Sequence, residues 1–131
     1  MNKVTIVIPT KNEEESLKVL LKEINDLNFK EIIDEIIVVD ANSTDGTHEV
    51  AKKNNCKIFI EKEKKGYGSA IIEGIKYSKS KYSVILDGDG SKNPIYIYNL
   101  YKAIEDSNDE FIFGSRYGKN SGSDDDTILT H

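Results

Sequence analysis

Val4-Thr5-Ile6-Val7-Ile8-Pro9-Thr10-Lys11-Asn12-Glu13, residues 4–13, is the stretch that decides the fold. Its first five residues are all β-branched and then meet Pro9, which reads as a buried strand brought to a stop. Asn12 occupies the place of a helix N-cap, and Glu15, three residues on, completes a capping box. Leu17, Leu20, Leu21, Ile24 and Leu27 follow at helical spacing and make one apolar stripe. A buried strand that turns directly into an amphipathic helix is the repeating unit of an α/β domain.

The unit recurs along the chain. Ile36-Ile37-Val38-Val39 reads as a second strand ending at Asp40, and the polar turn Ser43-Thr44-Asp45-Gly46-Thr47 opens a helix through about Asn54. Cys56-Lys57-Ile58-Phe59-Ile60 is a third strand with an alternating pattern. Gly66-Tyr67-Gly68 opens a helix carrying Ala70, Ile71, Ile75 and Tyr77. Tyr82-Ser83-Val84-Ile85-Leu86 is a fourth strand ending at Asp87, and Pro94 suits the first position of the next helix, which carries Tyr98, Tyr101 and Ile104. Phe111-Ile112-Phe113 is a short fifth strand. Alternation of this kind, with strands apolar on both faces, predicts a three-layer α/β sandwich around a mainly parallel sheet. Residues 1–117 form that domain. Residues 118–131 are polar, include Asp124-Asp125-Asp126, and read as a tail that begins an absent further region, so the chain reads as truncated at its carboxyl end.

Composition narrows the classes. The 131 residues suit one domain with one real core. Eighteen Lys and Arg against 23 Asp and Glu leave a net charge of −5, which argues against a nucleic-acid partner needing a basic face. No apolar run approaches the roughly 18 residues of a membrane span, and Met1-Asn2-Lys3-Val4 has no signal-peptide pattern. A single cysteine, Cys56, leaves no internal disulfide or cysteine metal cluster. The expectation is a protein of the cytoplasm.

In an open parallel sheet, ligands sit beyond the carboxyl ends of the strands, and there this sequence gathers its unusual residues. Asp87-Gly88-Asp89 offers two carboxylates that can reach a hard cation, Mg²⁺ or Mn²⁺, if the backbone turns sharply at the glycine. The same residues also suit a glycine-rich turn whose aspartates bond backbone amides. An EF-hand is excluded, because Lys92 and Tyr98 stand where its loop needs Gly and Glu. Asp40 suits a ribose hydroxyl or a base amide, and equally a cap on the following helix. Gly66 and its neighbours suit a diphosphate at a helix N-terminus or a plain loop, without the spacing of a dinucleotide site. Arg116, the sole arginine, offers a planar fork for phosphate, or is chance in a lysine-biased chain. His48 and His131 lack partners at ligand spacing and receive no role. Tyr96, Tyr98 and Tyr101 read as helix packing.

Taken in order, residues 4–13 (VTIVIPTKNE), 35–47 (EIIVVDANSTDGT), 66–74 (GYGSAIIEG), 84–91 (VILDGDGS) and 111–117 (FIFGSRY) resemble the family 2 glycosyltransferases of the GT-A fold. Through Gly114-Ser115-Arg116-Tyr117 the chain is most similar to the branch that acts on dolichyl and other polyprenyl phosphates. The resemblance implies a metal-dependent, inverting transfer of a sugar from a GDP- or UDP-linked donor, with Mg²⁺ or Mn²⁺ as cofactor. It implies a lipid-phosphate acceptor met at the cytoplasmic face of a membrane. By match to the family motifs, Pro9, Lys11 and Glu13 line the nucleotide pocket, and Gly66 and Gly88 belong with the nucleotide-sugar-binding residues. Val39 and Asp40 hold base and ribose. Asp87 and Asp89 bind the metal, and Asp89 and Arg116 carry the catalysis. A second acid common in the family is Ala41 here, which leaves that contact to Asn42, and Ser91 stands where the branch often has glutamine. Other readings are a nucleotide-sugar-binding module without turnover, a transferase to a saccharide hydroxyl and, more remotely, a Mg²⁺-dependent phospho-acceptor signalling domain.

Overall fold

The computed structural model describes residues 3–28, 30–61, 67–89, 93–106, 111–113 and 127–130. Strands and helices alternate as β1 (Val4–Thr10), α1 (Glu14–Leu27), β2 (Ile33–Asp40), α2 (Thr47–Lys53), β3 (Lys57–Ile60), α3 (Tyr67–Tyr77), β4 (Tyr82–Ile85), α4 (Ile95–Asp106), β5 (Phe111–Phe113) and β6 (Thr127–Thr130). The sheet order is β3-β2-β1-β4-β6-β5. β1 pairs in parallel with β2 and β4, and β2 with β3, whereas β6 runs antiparallel to both β4 and β5. The expected mainly parallel α/β sheet is therefore present.

Side-chain parity along β1 shows why both faces are apolar. Val4, Ile6 and Ile8 point into a core with Leu17, Leu20, Leu21 and Ile24 of α1, Ala51 of α2 and Tyr96, Ile97, Leu100 and Tyr101 of α4. Val7 points the other way and meets Ile37, Val39, Ile85 and Ala70 of α3. Successive strand residues face opposite layers, so a strand covered on both sides must be hydrophobic at every position. Gly74 brings α3 down onto this second face: a Cβ there would stand 2.3 Å from Val7 Cγ1 and 3.2 Å from Val39 Cγ2. Phe59 and Tyr77 stack with centroids 3.8 Å apart and close the edge beside β3.

Several boundaries differ from the sequence reading. Pro9 lies inside β1 and does not end it. β2 starts at Ile33, three residues before the apolar run. Residues 118–131, read as a polar tail that begins a further region, contain β6, which inserts between β4 and β5. Asn12 does not cap α1. The cap position is Glu13, with no side-chain cap bond, and Asn12 has φ of 50°. Pro94 immediately precedes α4, where the Asn93 side chain accepts from the Ile95 N–H (3.0 Å). Of the three tyrosines read as packing, Tyr96 and Tyr101 are buried and Tyr98 is exposed.

Candidate active site

The chain travels from β1 outward through β2 to β3, then returns to place β4 on the other side of β1. The two directions part between β1 and β4, and such a switch point leaves a crevice beyond the strand ends. β1–β4 pairing ends with the Leu86 N–H donating to the Val7 carbonyl (3.0 Å), while β1–β2 pairing continues to Thr10 and Asp40. Pro9 stands where β4 has diverged, so its missing N–H costs the ladder nothing. A cleft of about 510 Å³ occupies this position. Pro9, Thr10, Lys11 and Glu13 from the end of β1 line one wall, and Asp87, Gly88 and Asp89 after β4 line another. Ala41, Glu61 and Ala70, which follow β2, follow β3 and sit in α3, complete it.

Two loops interlock along the β1 side of the rim. The Asn12 N–H donates to Ser43 Oγ (2.7 Å), and the Thr44 N–H donates to Asn12 Oδ1 (2.7 Å). The Glu13 N–H donates to Thr47 Oγ1 (3.0 Å), and the Gly46 N–H donates to Glu14 Oε1 (2.9 Å). Lys11 Nζ donates to the carbonyls of Ala41 (2.9 Å) and Asn42 (3.4 Å). The amides of Asn12, Glu13 and Glu14 thus find acceptors on Ser43, Thr47 and Asp45, which explains why Asn12 is released from capping. Asn12 and Asn42 both adopt left-handed backbone, φ 50° and 63°, a conformation asparagine tolerates.

Asp40 is the hub beneath this rim. Its carboxylate is fully buried and accepts from Thr10 Oγ1 (2.6 Å), the Ser43 N–H (2.6 Å) and Ser43 Oγ (2.6 Å), and contacts His48 Nε2 (2.7 Å). Burial by itself would raise its pKa. The hydrogen bonds from Ser43, Thr10 and His48 outweigh burial and hold it below the ordinary carboxylate range. Asp40 does not cap α2, whose cap position is Gly46 with no side-chain cap bond; its contacts instead hold the β2–α2 loop. Val39 is buried in the α3-side core, and Asn42 is exposed on the loop. Neither lines the cleft.

The acidic wall is built differently. Asp89 is exposed, Asp87 is half-buried, and Gly88 between them is buried. A Cβ on Gly88 would stand 2.7 Å from Thr10 Cγ2, 3.1 Å from the Pro9 carbonyl oxygen and 3.4 Å from Glu13 Oε1. Glycine therefore lets the loop lie against β1. Glu13 Oε1 accepts from the Lys11 N–H (3.0 Å). Burial raises the Glu13 pKa, the Lys11 N–H opposes this, and the charges of Asp89, Asp87 and Asp40 raise it further. The acids of three strand ends thus share one electrostatic neighbourhood.

That surplus of negative charge suits a divalent cation. Among the described residues no three His, Cys, Asp or Glu side chains gather as a ready metal cage. Two aspartates flanking a glycine instead match the way Mg²⁺ or Mn²⁺ is held, by one or two carboxylates with substrate phosphates and water completing the shell. Of the residues expected from sequence, Pro9, Lys11, Glu13, Asp87, Gly88 and Asp89 come together here. Gly66, Ser91 and Arg116 lie outside the described residues. Sequence reading missed Thr10, His48, Glu61 and Ala70. Glu61 had a signal, since it follows β3 as Asp40 ends β2 and Asp87 follows β4. His48 had none, because its partner lies eight residues back and only the folded loop joins them.

Mannosyl-3-phosphoglycerate synthase from Rubrobacter xylanophilus superposes with a TM-score of 0.80 at 22% identity, over 98% of this chain and 54% of that one. A mannosyltransferase from Pyrobaculum calidifontis, solved with GDP-Man and Mn²⁺, superposes with a TM-score of 0.80 at 18% identity, over 98% of this chain and 44% of that one. This architecture, with its cleft at the β1–β4 switch point, is the GT-A fold. The chain belongs to glycosyl transferase family 2, whose family model matches residues 5–131. Dolichol-phosphate mannosyltransferase from Pyrococcus furiosus is 37% identical over 125 residues, covering 89% of this chain and 34% of that protein. The chain spans about a third of that relative's length and about half of those solved structures.

Proposed function

We propose that this chain is the donor-binding part of a metal-dependent, inverting glycosyltransferase that passes a sugar from a nucleoside diphosphate to a polyprenyl phosphate. The observation that carries the reading is the cleft at the β1–β4 switch point, where the Asp87-Gly88-Asp89 loop faces Pro9, Lys11 and Glu13. The 37% identity to a dolichol-phosphate mannosyltransferase supports the acceptor class. A solved neighbour containing GDP-Man and Mn²⁺ supports a GDP-linked donor, and another containing UDP and Mn²⁺ keeps a UDP-linked donor in play.

In this reading Asp87 and Asp89 hold Mg²⁺ or Mn²⁺, which when bound neutralises the charge growing on the departing diphosphate. Asp89 is the firmer ligand. Pro9 and Lys11 flank the nucleotide, with the Lys11 ammonium braced on the Ala41 and Asn42 carbonyls. Glu13 fixes the turn below them. Asp40 acts through the loop that it holds. Arg116 meets a phosphate as a bidentate fork. A phosphate acceptor is already anionic, so the attacking oxygen needs no general base from this chain. No helix among the described residues is long and apolar enough to cross a membrane. An acceptor anchored in lipid would be met from the cytoplasmic face.

Calorimetric titration of GDP and UDP with Mn²⁺ or Mg²⁺ tests the donor half. Binding of one of them that depends on the metal and vanishes in Asp89→Ala is expected. Wild-type affinity in that variant, or failure of both nucleotides to bind, refutes the assignment. Transfer from the matching nucleotide sugar to a short polyprenyl phosphate, against a saccharide hydroxyl acceptor, tests the acceptor half.

A further inference from the structure

The Asp87-Gly88-Asp89 loop leaves β4 just after its last bond to β1, so something else must set its height over the cleft. The structure supplies a fixing point from α1. Ser16 Oγ donates to the Gly88 carbonyl oxygen at 2.8 Å, across 72 residues of sequence. The same hydroxyl lies 3.4 Å from the Glu13 carbonyl, one turn back in the helix. A hydroxyl has one proton, and the shorter contact takes it. The alternative, a local bond within the first turn of α1, is the weaker of the two.

We propose that Ser16 is a positioning residue for donor binding: its hydroxyl pins the Gly88 carbonyl and thereby fixes where the Asp87 and Asp89 carboxylates present themselves. The inference rests on the donor-site reading above and adds a residue to it. Two observations converge on the pin. Gly88 is pressed from the β1 side by Thr10 and the Pro9 carbonyl, as the space around its missing Cβ shows. Ser16 grips the same residue from the α1 side. Gly88 is buried, so its carbonyl has poor access to water if the hydroxyl is removed. The loop must then shift to resatisfy it, carrying both aspartates along. Ser16 itself lies outside the residues that line the cleft, so its effect passes through Gly88.

Ser16→Ala tests this cleanly, because alanine is a better helix former than serine and α1 should survive the change. Two readouts are needed. Amide hydrogen exchange over residues 86–89, measured without metal or nucleotide, should quicken several-fold in Ser16→Ala while β1 and β2 stay as in the wild type. Calorimetry with Mn²⁺ and whichever of GDP or UDP the wild type binds should show affinity weakened about three- to tenfold, the range of one net hydrogen bond. Ser16→Thr, which keeps the hydroxyl, should restore both. Unchanged exchange and affinity in Ser16→Ala, or a loss that Ser16→Thr does not rescue, overturns the proposal. A wild type that binds neither nucleotide defeats the donor-site reading and the positioning role with it, whereas the exchange measurement still reports separately whether the pin exists.

Discussion

Adding a single methyl at residue 88 is the sharpest structural probe of the acidic wall. In Gly88→Ala the new Cβ would lie 2.7 Å from Thr10 Cγ2, whereas ordinary contact begins at 3.4 Å, so something must yield by roughly 0.7 Å. Thr10 resists. It is 4% exposed, and rotating its methyl away would break the 2.6 Å bond from its hydroxyl to Asp40. The loop yields instead, since Asp89 beside it is exposed. Overpacking of this size costs about 1 kcal/mol when a surface loop can move, or about 3–5 °C in melting temperature for a domain of this length. Binding suffers more than stability. Both carboxylates beside residue 88 move with the loop, so a tenfold or greater loss of Mn²⁺-dependent nucleotide affinity is expected. Calorimetry and thermal unfolding of the same preparation read both quantities. Thr10→Ser removes the offending methyl and keeps the hydroxyl on Asp40, so Thr10→Ser/Gly88→Ala should recover most of the lost affinity. Wild-type affinity in Gly88→Ala, or a double variant no better than the single one, would mean that Thr10 does not hold the loop in place.

Other perturbations follow from the same geometry. Asp40→Asn leaves donors from Thr10, Ser43 and His48 facing one acceptor oxygen and should cost about 2–4 kcal/mol by urea unfolding. Because the folded pKa of Asp40 lies below its unfolded value, its contribution is complete above about pH 4 and is lost as pH falls through the folded pKa; the acid limb of a stability profile should flatten in Asp40→Asn. Gly74→Ala drives a methyl against Val7 between packed layers and should lower stability by about 2–3 kcal/mol, read by thermal unfolding; an unchanged midpoint would mean that α3 sits further from the sheet. Burial pushes the Cys56 thiol up to about 12, so a disulfide reagent at pH 8 should label it slowly in the native protein and promptly in urea.

Much of the scaffold was legible because period and parity are local signals. The stripe from Leu17 to Ile24 marked α1, and the unbroken β-branched run of β1 announced a strand covered on both sides. Acids at strand ends marked the rim for the same reason, since an open parallel sheet has one place to put them. The failures were tertiary. Asn12 looks like a cap until the β2–α2 loop arrives and supplies Ser43, Asp45 and Thr47 as acceptors for this turn. Pro9 reads as a stop because proline disrupts a ladder bonded on both sides, and here β4 has already turned away. Asp40 reads from sequence as a ligand or a cap, and its bonds to Thr10 and His48 arise only when folding brings those residues near it. The pin from Ser16 to Gly88 spans most of the chain and leaves no trace in spacing.

On the proposed function, one cation is shared between the carboxylates beside Gly88 and a diphosphate lying in the cleft. Anomalous diffraction from a crystal grown with Mn²⁺ and the nucleotide diphosphate that binds addresses it directly. A manganese peak in contact with the Asp89 carboxylate and with phosphate oxygens, at the carboxyl ends of β1 and β4, is expected. A diphosphate in the cleft with manganese bound elsewhere, or a nucleotide seated away from that switch point, would contradict it.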